Sequence, residues 1–142
     1  MHTFYNSQSE IEAVVRGFES CSTGKGGFRH TDHLTVAVWY LSVTNAEQAT
    51  DRIRAGLLRF LDHHRVGRGK YNETLTLFWI HLVRQTLGEI APGASLLEKC
   101  NQVLESLQDH EITFEYYSKE LLWSDEARQS WVAPDLKAWK NF

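Results

Sequence analysis

Two short stretches hold most of the side chains able to do chemistry. The first is Phe28-Arg29-His30-Thr31-Asp32-His33-Leu34. Histidines three apart in the first turn of a helix share a face. The positive end of the helix dipole disfavours imidazolium there, which leaves both rings neutral and able to bind a divalent metal or a polar substrate. Asp32 between them would orient a ring or cap the helix. The second stretch is Tyr71-Asn72-Glu73-Thr74-Leu75-Thr76-Leu77-Phe78-Trp79. Glu73 is its candidate ligand or general base. Two histidines and one carboxylate leave coordination positions open for reaction, whereas a closed four-ligand site would be structural. The expected metal set is therefore His30, His33 and Glu73 around one divalent ion, with Glu73 also the candidate catalytic residue. Tyr71, Asn72, Thr76 and Trp79 are the expected ligand-binding neighbours. Each group also has a plainer reading. His30 would precede the helix as a cap residue, His33 would be a boundary histidine, Asn72 an N-cap, and Glu73 a favourable charge in a first turn.

These stretches must be positioned by helices, because the punctuation is helical almost throughout. Ser9 and Glu12 have capping-box spacing, followed by Ile11, Val14, Val15 and Phe18 on one face. Gly24, Gly26 and Gly27 make a loop before the second helix, which is expected to start near Thr31-Asp32 and is apolar almost all round from Leu34 to Leu41. Thr44 and Glu47 repeat the capping box ahead of a third helix with Ile53, Leu57 and Phe60 on its apolar stripe. Asn72 caps a fourth, closed by Gly88 and Pro92-Gly93, and Ser95 with Glu98 opens a fifth. Phe114 to Leu122 reads as a short helix, and Ser124 caps another over Asp125 to Trp131. The expectation is an all-α single domain over residues 1–142, a compact bundle of five or six helices. The histidines meet Glu73 only if the second and fourth helices run parallel, which the intervening helix permits.

The pattern Phe28-x-His30-x-x-His33-Leu34, Tyr71-x-Glu73-Thr74-x-Thr76-x-x-Trp79, Tyr117-Ser118-x-Glu120, Ala127-Arg128 and Pro134-Asp135-Leu136 resembles a group of small bacterial helical proteins. The resemblance spans residues 28 to 136 and carries no reaction with it. It implies a His/His/His/Glu cluster, from which this chain departs at Asn72, where the group has histidine. An amide oxygen coordinates more weakly than imidazole, so the departure counts against tight transition-metal binding.

Composition narrows the classes. The 142 residues carry 15 Lys and Arg against 18 Asp and Glu, a net charge of −3, with 42% hydrophobic residues. Those values suit an ordinary globular chain. No apolar run approaches the roughly 18 residues that cross a bilayer. The first residues show no basic region followed by an apolar stretch, and Cys21 and Cys100 make no disulfide framework, so the expectation is a cytoplasmic protein. Arg52, Arg54, Arg59, Arg65, Arg68 and Lys70 form a basic run, yet the net acidity argues against nucleic acid as a partner. Arg84 and Arg128 are candidate carboxylate clamps for a small anionic ligand. Trp123, Trp131, Trp139 and Phe142 crowd the C-terminus. A competing reading from a different class is therefore an interaction or assembly module, such as a homodimer, that uses this aromatic tail or the basic third helix.

Overall fold

A computed structural model describes residues 3–22 and 28–139, and the described residues form helices and turns with no strand. Five long helices come first: α1 (Gln8–Glu19), α2 (His30–Val43), α3 (Ala46–His63), α4 (Glu73–Gly88) and α5 (Leu96–Leu107). Three short ones follow, α6 (Thr113–Tyr116), α7 (Lys119–Leu122) and α8 (Asp125–Gln129), with single 3-10 turns at Arg68–Lys70 and His110–Ile112. The all-α bundle expected from the sequence is the fold that forms. The loop at Gly24-Lys25-Gly26-Gly27 lies outside the described residues.

α2 is the central helix, as its all-round apolarity requires. Leu34, Thr35, Val36, Ala37, Val38 and Tyr40 are all buried, and α1, α3, α4 and α5 pack around it. Such a helix cannot face water on any long stripe, so its neighbours supply the amphipathic faces. Thr35, the polar residue in that run, is satisfied: its Oγ1 donates to the Thr31 carbonyl at 2.8 Å and lies 2.8 Å from the Tyr5 hydroxyl. α1 contributes Ile11, Val15 and Phe18, and α5 contributes Cys100, Val103, Leu104 and Leu107. Each fully buried aliphatic or aromatic side chain stabilises the fold by about 1.5–3 kcal/mol. Phe18 comes so close to α3 that a Cβ on Gly56 would stand 2.3 Å from its Cε2 and Cζ.

Two caps shift from their expected places. α1 starts after Ser7, and the Glu10 carboxylate accepts the Asn6 N–H at 2.9 Å. α3 is capped by Asn45, whose side chain accepts the Gln48 N–H at 2.8 Å. Thr44 is spent on closing α2, its hydroxyl donating to the Tyr40 carbonyl at 2.6 Å. Ser95 and Glu98 do form the expected reciprocal box at α5.

The stretch expected as one helix from Phe114 to Leu122 is broken at Tyr117, which is extended. Its ring is fully buried, and its hydroxyl donates to the Val132 carbonyl at 2.7 Å. Ser118 then restarts the chain as the N-cap of α7, accepting the Leu121 N–H at 3.1 Å. α8 stops at Gln129 rather than Trp131, because the following backbone is held by α4. The Thr74 hydroxyl donates to the Ser130 carbonyl at 2.8 Å and accepts the Val132 N–H at 3.1 Å. A buried threonine on one helix thus fixes the extended tail that closes the bundle. Trp131 and Trp139 pack against the core, with the Trp139 ring 4.9 Å from Tyr116 and 5.3 Å from Phe78. Trp123 stays 45% exposed.

Candidate functional site

The His30 ring in the first turn of α2 meets Trp79 of α4 edge-on at 4.5 Å. Beside them lies a cavity of about 470 Å³. α2 supplies His30, His33, Leu34 and Ala37 to its wall, and α3 supplies Ile53 and Leu57. α4 adds Leu75, Thr76, Trp79, Ile80 and Val83. The far side is closed by His110, Thr113, Phe114, Leu122 and Trp123 from the short C-terminal segments. Among the described residues, no Asp, Glu, Lys or Arg lines it.

Both histidines are neutral at ordinary pH, for stated reasons. Burial lowers the His30 pKa, outweighing the Leu107 carbonyl, which lies 2.8 Å from Nε2 and favours a proton. A carbonyl can only accept, so Nε2 carries the hydrogen and Nδ1 keeps a lone pair. His33 lines the cavity and is exposed to solvent there, with protein packed against part of its ring. Desolvation by those neighbours lowers its pKa to about 4, the His30 ring adding to the effect and the Phe28 carbonyl offsetting part of it. Its ring rests 4.1 Å from Phe28, which in turn stacks on Phe18 at 4.9 Å. Asp32 serves as the helix cap rather than as a ring partner, accepting the Arg29 N–H at 3.0 Å.

Glu73 has a different neighbourhood from the one its spacing suggested. Arg54 grips it with two hydrogen bonds, Nε to Oε1 at 2.9 Å and Nη2 to Oε2, and the Tyr71 hydroxyl donates to Oε1. Burial alone would raise its pKa, but Arg54 and Tyr71 outweigh this and hold it below the usual carboxylate value. Burial and the adjoining carboxylate push Tyr71 up to about 12. The guanidinium fork matches a carboxylate's geometry, which is why a bidentate pair forms here. Glu73 lines neither this cavity nor the two that adjoin it. Among the described residues, no group of three or more His, Cys, Asp or Glu side chains is placed to hold a metal ion.

Asn72 is an N-cap whose amide is engaged at both ends. Its Oδ1 accepts the Leu75 N–H at 2.9 Å, and its Nδ2 donates to the Leu122 carbonyl at 2.7 Å, tying α4 to α7. Thr76 donates back to the Asn72 carbonyl at 2.9 Å, which leaves its oxygen lone pairs to the cavity it lines. Four of the residues singled out by sequence therefore share one wall: His30, His33, Thr76 and Trp79. Tyr71 and Asn72 line an adjoining cavity of about 280 Å³, which shares His33, Leu57, Leu75, Thr76 and Trp123 with the first.

Sequence reasoning missed the C-terminal half of the wall. Thr113, Phe114 and His110 sit in no motif, and only the excess of aromatics near the end of the chain pointed towards Trp123. Two cations of the basic run are already engaged, Arg54 by Glu73 and Arg68 by Asp62 at 2.7 Å. No helix among the described residues is long and apolar enough to cross a membrane. Compared with known proteins, the chain matches no family model, no curated protein and no solved structure.

Proposed function

We propose that the protein binds a small, predominantly apolar organic molecule in the cavity bounded by α2, α3, α4 and the C-terminal segments. The observation that carries this reading is a space of about 470 Å³ whose walls, among the described residues, are mostly aliphatic and aromatic, with three histidines and two threonines and no Asp, Glu, Lys or Arg. Ligand sites span roughly 300–1,000 Å³ and combine apolar walls with a few fixed polar groups. Here those groups are the neutral His30 and His33 and the hydroxyls of Thr76 and Thr113. Lone pairs on His30 Nδ1 and Thr76 Oγ1 favour a ligand that donates a hydrogen bond, such as an alcohol. The buried part of that ligand is uncharged, since nothing in the wall would compensate a desolvated ion. A divalent metal held by His30, His33 and Glu73 would require Glu73 to release both Arg54 and Tyr71, so the organic ligand is the preferred reading.

Trp79 and Trp123 line the cavity and make it self-reporting. Titration with decanol should change their fluorescence saturably and raise Tm. Full occupancy at about a hundred times Kd is worth roughly 2.7 kcal/mol. Ala37→Leu extends a side chain into the space and should weaken that binding while leaving the apo protein equally or more stable. The reading fails if decanol produces neither change, or if Ala37→Leu binds it as the parent does. It also fails if zinc, rather than the alcohol, raises Tm in a manner lost in both His33→Ala and Glu73→Ala.

A further inference from the structure

The neutral cavity does not end at neutral surface. Trp123 lines it, and it also lines an outer cleft of about 370 Å³ whose other walls are Val66, Gly69, Lys70, Asn72 and Arg128. The intermediate space of about 280 Å³ touches both, sharing His33 and Thr76 with the inner cavity and Lys70 and Asn72 with the outer cleft. Three adjoining compartments, all lined by Trp123, thus lie between an apolar interior and a basic mouth. Lys70 and Arg128 are exposed, and neither belongs to an ion pair among the described residues. Arg128 is already oriented, its Nη1 donating to the Gly69 carbonyl at 3.3 Å. Among the described residues, no acidic side chain lines the outer cleft or the intermediate space. Both cations are therefore open to an anionic group at this one mouth.

We propose that the natural ligand is an amphipathic carboxylate. Its hydrocarbon or aryl tail occupies the inner cavity, and its carboxylate sits between Lys70 and Arg128 beside Trp123. This rests on the cavity reading above and adds the sign and position of the head group. The charges agree with the division of space. The tail meets walls that carry no ion, and the head stays where water and two cations solvate it, so no charge has to be desolvated.

The test uses three ligands with the same ten-carbon tail: decanoate, decanol and decyltrimethylammonium. Each is titrated into the intact chain by calorimetry at mildly alkaline pH. Decanoate should bind about fivefold to tenfold more tightly than decanol, and the cation most weakly. Lys70→Gln combined with Arg128→Gln should bring decanoate level with decanol while leaving decanol unchanged. Raised salt on the unmodified chain should shrink the preference in the same direction, which keeps the test independent of how the variant folds. Equal binding of acid and alcohol, or tightest binding of the cation, overturns the carboxylate head and leaves the apolar cavity standing. Binding of none of the three removes the cavity reading and this inference together.

Discussion

Gly56→Ala is the substitution on which helix propensity and packing disagree most sharply. Replacing a glycine inside a helix such as α3 with alanine normally stabilises it by roughly 1 kcal/mol. Here the added Cβ would lie 2.3 Å from Cε2 and Cζ of Phe18 and 3.3 Å from Cε1. Carbon atoms rest about 3.5–4.0 Å apart, so the ring would have to retreat by more than ~1 Å. It has little room for that. Phe18 is fully buried and stacks on Phe28, which itself meets Phe60 at 5.7 Å and His33 at 4.1 Å. Overpacking of this kind costs about 1–3 kcal/mol, and the clash with a rigid ring belongs at the upper end. Setting the propensity gain against it leaves a net loss of about 1–2 kcal/mol, or roughly 3–8 °C in Tm for a domain of this size. Urea unfolding followed by far-ultraviolet circular dichroism would measure it. Adding the same substitution to a Phe18→Leu background should recover stability, because the obstructing ring is gone. A Gly56→Ala variant as stable as the parent, or more so, would refute the reasoning. So would an undiminished penalty in the Phe18→Leu background.

Two further measurements bear on the site. His33 has an ordinary pKa of 6.5 and a folded value of about 4, so the unfolded chain takes up a proton in that interval that the folded chain resists. Its contribution is complete above pH 6.5 and is lost as pH falls towards about 4. The lowered Glu73 pKa adds a loss of the same sign below its ordinary 4.5. Tm measured against pH should therefore fall from 6.5 downwards, and His33→Gln should flatten the part above 4.5; an unaltered slope would exclude His33 as its source. A double-mutant cycle of Arg54→Met and Glu73→Gln should return a coupling of about 1–2 kcal/mol, reduced from a fully buried pair by the exposure of Arg54. Additive effects would show that the bidentate contact contributes nothing to stability.

The parts of this molecule governed by short-range chemistry are legible in the sequence. Asn72, Ser95 and Ser124 cap the helices that their spacing predicts, and the apolarity of Leu34–Leu41, broken only by Thr35, identifies the central helix. Competition between neighbours caused the misplaced boundaries. Thr44 and Asn45 are both good caps, and Thr44 was taken by the end of α2. The break at Tyr117 depends on where its ring can be buried and on Val132, fifteen residues later, which no local pattern encodes. The same division runs through the site. His30, His33, Thr76 and Trp79 line one cavity, and each sits in a short motif on α2 or α4. Spacing groups Glu73 with the histidines, whereas the structure pairs it with Arg54. That pairing spans nineteen residues and a helix crossing, and one arginine in a basic run looks like any other until α3 is laid against α4.

The extended tail pinned by Thr74 gives the order of synthesis a physical meaning. α6, α7 and α8 are four or five residues each, far below the roughly 12–15 at which a helix holds itself in water. They acquire shape only by docking onto α4, and they carry Thr113, Phe114, Leu122 and Trp123, one whole side of the cavity. A ribosome delivers about 5–20 residues per second, and these segments emerge after α1–α5. The nascent chain therefore presents an open apolar trough until they follow. During that interval the trough is the molecule's most adhesive surface, and closure of the tail converts it from an aggregation hazard into a container.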